Sequence, residues 1–175
     1  MLESVTHRSG DWTANYERIT AFLASIDIAL TEGEIPTAAL LPGVAIVSGR
    51  LVVDRDRLTW PGDLLHEAGH IAVMPAALRG TLGGTLADDP EVPHAGEPEA
   101  TAWAWAALMA IGLKSEVLFH AGGYQGRSPG LAFTFSVGGY PGAAGLIAAG
   151  LALSTADAAR RGEQSYPHMV RWLRE

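Results

Sequence analysis

The chain contains no cysteine. That single absence excludes disulfides, thiolate metal ligands and cysteine nucleophiles together. A metal held by this protein must sit on His, Asp and Glu, a donor set that suits zinc in a catalytic site of nitrogen and oxygen ligands. Positive charge is also scarce. Twelve Lys and Arg stand against nineteen Asp and Glu, for a formal net charge of −7, and only Arg160-Arg161 are adjacent. Phosphate backbones are bound by a basic stripe, so nucleic acid is excluded as the main partner. Long apolar runs are missing as well. Ala100–Leu113 and Gly142–Leu153 are nearly all apolar, but both fall short of the ~18–20 residues a spanning helix needs. They read as buried core helices, and no membrane partner is expected. Met1–His7 shows no basic region followed by an apolar run, so no secretory signal is expected and the expected location is the cytoplasm.

What is present suits one ordinary domain over residues 1–175. Hydrophobic residues make up 48% of the 175, enough for a core without staples. Ile19, Phe22, Leu23 and Ile26 recur at helical spacing and predict a helix over residues 12–27. Val44–Val47 and Leu51–Val53, separated by Ser48-Gly49-Arg50, predict a β-hairpin. A helix is predicted over 61–74, with Pro61 in its first turn and Pro75 ending it. Gly, Asp and Pro crowd residues 80–96, which read as a loop. A second strong helix is predicted from Glu97 to Leu113. The glycine-rich stretch 122–142 reads as irregular with one short strand around 131–135, followed by helices over 142–159 and 166–173. The expected class is α+β.

The chemistry concentrates at His66-Glu67-Ala68-Gly69-His70. Histidines four apart on a helix share one face, one turn apart, and reach a single ion. Glu67 lies beside His66, close to a metal's water without being a ligand. Zinc lowers the pKa of such a water to roughly 7, and a nearby carboxylate takes its proton and passes it to a leaving amine. These residues predict a zinc-dependent hydrolase with Glu67 as general base. The competing expectation is a zinc-binding regulatory or interaction module without peptidase activity.

Two histidines leave a catalytic zinc one protein ligand short. His94, Glu97, Glu99 and His120 are the downstream candidates, and no third histidine follows at the H-E-x-x-H-x-x-G-x-x-H spacing, where Ala76 stands. A glutamate on the next helix is expected. Glu97 is three before Ala100 and Glu99 four before Trp103, so each borders the face expected to be buried, and helical geometry alone does not choose between them. His120 and Tyr124, four apart, are candidates for hydrogen-bonding an oxyanion.

The hairpin, the HEAGH helix, the loop and a helix reading Glu-x-x-Ala-x-x-aromatic-Ala resemble the ImmA/IrrE group of short gluzincin metallopeptidases over residues 40–113. Trp103 stands where that group commonly has phenylalanine, and residues 114–175 lie outside the resemblance. The resemblance implies a zincin-like fold in which a small sheet with the hairpin packs on the active-site helix and the glutamate-bearing helix. It implies His66, His70 and Glu97 as zinc ligands, Glu67 as general base, and a peptide or protein substrate. The interval of 27 residues from His70 to Glu97 is similar to the group's, which favours Glu97 over Glu99. No helix-turn-helix region accompanies it, so the regulator-cleaving role of some members is not implied. Specificity and oligomeric state are not readable from the residues.

Overall fold

A computed structural model describes residues 10–35, 41–83 and 96–175. Helix α1, Gly10–Ser25, turns Tyr16, Ile19 and Leu23 inward at spacings of three and four. Just past its end Asp27 is left-handed (φ 61°), and Ile28 N–H returns to Leu23 O. The hairpin forms as the sequence predicts. Strands β2, Val44–Val47, and β3, Arg50–Val53, pair antiparallel across Ser48-Gly49, both at positive φ, the pattern of a two-residue turn that matches strand twist. A third strand, β1, Leu30–Glu32, pairs parallel to β3 and completes the order β1-β3-β2. The alternation of β3 buries Leu51 and Val53 completely.

Helix α2, Asp63–Val73, carries the HEAGH residues. Its Leu64, Leu65, Ala68, Ile71 and Ala72 are buried, and Met74 is extended before Pro75, as the proline requires. The last carbonyls of a helix lack partners within it. Here Arg79 Nε donates to Ile71 O, Arg174 N–H to Ala72 O and the Arg174 guanidinium to Val73 O. The chain's C-terminal residues therefore hold the end of α2, with positive charge where the helix dipole is negative.

Helix α3, Glu97–Ile111, is buried at every position from Ala100 to Leu108, as suits a helix that is apolar all round. Gly112 closes it in the left-handed conformation. The helices α2 and α3 touch backbone to backbone: a Cβ on Gly69 would stand 2.5 Å from Ala100 O. Glycine there is what brings the HEAGH helix close to the one bearing Glu97.

Beyond α3 come short helices: α4, Ser115–Leu118; α5, Ser128–Ser136; α6, Ala143–Ala148; and α7, Thr155–Arg161. Three expectations are corrected. Residues 131–135 belong to α5 rather than to a strand, because Pro129 starts a helix and Leu131 and Phe135 share its inner face. The single helix expected over 142–159 is two, α6 and α7, separated by left-handed Gly150 and restarted by Ser154, whose hydroxyl caps Asp157 N–H. Residues 166–173 are not helical. Tyr166 N–H bonds Leu153 O, Val170 N–H bonds Leu151 O, and Ala152 and Met169 form an isolated bridge. Pro167 disfavours helix at Tyr166, leaving these groups free to pair with 151–153.

The class is α+β, with a small three-stranded sheet and α2 packed against both β2 and β3. Among the described residues, no helix is long and apolar enough to cross a membrane.

Candidate metal centre

The helical spacing of His66 and His70 and the close approach of α2 to α3 bring three side chains to one point. His66 Nε2 and His70 Nε2 are 3.2 Å apart. Glu97 Oε2 lies 3.3 Å from His66 Nε2, and Glu97 Oε1 lies 3.1 Å from His70 Nε2. Three corners of a tetrahedron with zinc–ligand bonds of about 2.0 Å stand about 3.3 Å apart. Each histidine nitrogen has that spacing from the other and from one of the two carboxylate oxygens. Two imidazole N–H groups can donate to the two oxygens of this carboxylate, and one cation among the same donor atoms serves all three groups equally. Among the described residues, this is the cluster of His, Asp and Glu able to hold a metal. The residues present therefore fit the ion that their chemistry implies.

The imidazoles form the floor of the cluster, with 13% and 17% of their side chains exposed, while Glu97 is 72% exposed at its rim. Of the three side chains, Glu97 is the one most open to solvent. Hydrogen bonds from His66 and then His70 hold the Glu97 carboxyl well below the usual carboxylate range. Solvent screens that interaction, so its contribution to stability is small.

Glu67, one residue after His66, is partly buried. Burial is the largest influence on its carboxyl and pushes its pKa up; the charges of His70 and His66 pull it down, and those of Glu97 and Asp63 push it up. Glu67 is not one of the three converging groups.

Glu99 does not join them. Its carboxyl packs against Gly145 of α6 and over Gly96, at distances that a Cβ on either glycine would violate. His120 does not reach the centre either. It is 3% exposed, stacks on Trp60 with ring centroids 4.6 Å apart, and meets Asp63 Oδ1 at 2.8 Å through Nε2. This buried couple ties the N-terminus of α2 to the segment after α4. Tyr124 does approach: its hydroxyl is 3.3 Å from His66 Nδ1. Burial, then the nearby charge of Asp63, pushes the phenol's pKa up, so it stays protonated. His94 lies outside the described residues.

Asp63 and Thr101 were not among the sequence candidates. Asp63 reads as an ordinary first-turn acid; its signal is position, three before His66 and four before Glu67 on the same helix face. Thr101, four after Glu97, is a buried polar residue in an apolar helix. Comparison with protein families, curated proteins and solved structures finds no match for the chain.

Proposed function

We propose that this protein is a zinc-dependent hydrolase, a metallopeptidase of gluzincin type. One observation carries the reading: His66 Nε2 and His70 Nε2 stand 3.2 Å apart and each lies 3.1–3.3 Å from one of the two Glu97 carboxylate oxygens, with Glu67 next to His66 in the chain. His66 and His70 from α2 and Glu97 from α3 would hold the ion. Zinc, when bound, supplies a Lewis acid and lowers the pKa of its water to roughly 7. Three protein ligands are the number a catalytic zinc would take, whereas a structural zinc would take four. Glu67 would serve as general base and then general acid, its carboxylate accepting a proton from the attacking water and returning it to the leaving amine. The exposed Glu97 rim admits the substrate.

The arrangement of a small sheet, the HEAGH helix and the glutamate-bearing helix supports a zincin-like fold and kinship with the ImmA/IrrE group. A peptide or protein substrate rests on that resemblance, and the cytoplasm is the proposed location. The second reading, a zinc-binding module without peptidase activity, keeps the same ligands and dispenses with Glu67.

Chelator treatment tests the first reading. A mixed peptide library incubated with the purified protein should be cleaved, cleavage should stop when zinc is stripped, and stoichiometric zinc should restore it. A protein that binds one zinc and cleaves nothing in the library would favour the second reading.

A further inference from the structure

A metal-bound imidazole is oriented by whatever its other ring nitrogen bonds, most often a carboxylate, a carbonyl or water. In His66, Nε2 is turned on the cluster, so Nδ1 faces away from it, and there the Tyr124 hydroxyl sits at 3.3 Å. The two rings meet edge to face, with centroids 5.3 Å apart at 84°. Thr101, on α3 one turn after Glu97, is a second polar neighbour of the same phenol. Tyr124 thus stands between the helix bearing the histidines and the helix bearing the glutamate.

The backbone that presents Tyr124 is held in an unusual shape. Tyr124 and Gln125 both lie in the left-handed region, at φ 54° and 53°, and Gly126 follows at φ 80°. Two consecutive non-glycine residues there are strained and persist only when their surroundings impose the conformation. The surroundings do so. Arg127 N–H and Nε both donate to Tyr124 O, and the buried Ser128 hydroxyl donates to Gly123 O. Gly123 packs so tightly on the His120 ring that a Cβ would stand 3.0 Å from it. His120 in turn is fixed by Asp63 of α2 and by Trp60. A strained turn anchored from several sides places one hydroxyl against one ligand nitrogen.

We propose that Tyr124 is a positioning residue for His66, its phenol oxygen accepting the Nδ1 proton so that Nε2 stays aimed at the metal. The proposal rests on the zinc reading. A phenol oxygen is a weaker acceptor than a carboxylate, so it fixes the tautomer and the ring plane while adding little negative charge to the centre.

Tyr124→Phe keeps the ring and removes the oxygen. Zinc affinity, read by competition with a chromophoric chelator, should fall roughly 10- to 100-fold, the loss common for outer-shell partners. The visible absorption of the cobalt-substituted protein should change, while the Tm of the metal-free protein stays at the wild-type value. Thr101→Val gives a second test that leaves the ring untouched, with a smaller loss of zinc affinity in the same direction. Wild-type affinity and an unchanged cobalt spectrum in both variants would overturn the proposal. So would a Tyr124→Phe protein that keeps its zinc affinity and loses only turnover, since the phenol would then act on substrate. If the wild-type protein itself takes up no zinc, the metal reading falls and the positioning role falls with it. If the wild type binds zinc and the variants match it, the positioning role alone falls.

Discussion

Glu67→Gln is expected to leave zinc bound and to lower hydrolysis by roughly 10²- to 10⁴-fold, the range for loss of a positioned general acid–base. The amide has the shape of the carboxyl but does not take a proton. Glu67 is not one of the three groups whose donor atoms converge, so the spacing of His66, His70 and Glu97 has no reason to change. Metal content and turnover, measured on the same preparation, check this. Retained zinc with lost turnover supports the mechanism. Full turnover in the variant would refute Glu67 as the base, and loss of zinc would show that Glu67 holds the site together rather than moving a proton.

Glu97→Ala and Glu99→Ala should differ sharply, although the two residues are neighbours in the first turn of one helix. Removing Glu97 takes away one of the three proposed ligands. Zinc affinity should fall by more than about a hundredfold, beyond the loss expected for an outer-shell partner. Removing Glu99 takes away a side chain packed on α6 at Gly145 and should leave zinc affinity within a few-fold of wild type, by the same comparison. Chelator competition on both variants separates them. Equal losses, or a larger loss for Glu99, would contradict the geometry.

The choice between these glutamates shows what the sequence could and could not settle. The HEAGH spacing placed His66 and His70 on one face from residue numbers alone. Both Glu97 and Glu99 bordered the face expected to be buried, and nothing local separated them. What separates them is α6, far downstream. Gly142 and Gly145 let it press on Pro98 and Glu99, and Glu99 packs against it. That packing is tertiary and leaves no mark near the motif.

The same distinction runs through the fold. Helix α3 was legible because its apolar run is continuous, and the hairpin because two β-rich runs flank a Gly-containing turn. Strand β1 was not, because Leu30-Thr31-Glu32 is too short to show a period and pairs only through β3. The glycines of 122–142 suggested an irregular segment. Several of them sit at the ends of α5 and α6 rather than inside them, and α5 runs between. The Asp63–His120 couple joins residues far apart in the chain, so neither end announces the other. His120 looked as eligible for an oxyanion as Tyr124 did, until burial beneath Trp60 removed it.

His66, His70 and Glu97 are proposed to hold one zinc with a position left open. Diffraction from crystals grown with zinc, recorded on both sides of the zinc absorption edge, checks this. One anomalous peak should lie among His66 Nε2, His70 Nε2 and a Glu97 oxygen, with a non-protein ligand in the fourth position. A peak elsewhere, no peak, or a fourth protein ligand closing the site would rule out an open zinc site on these three residues.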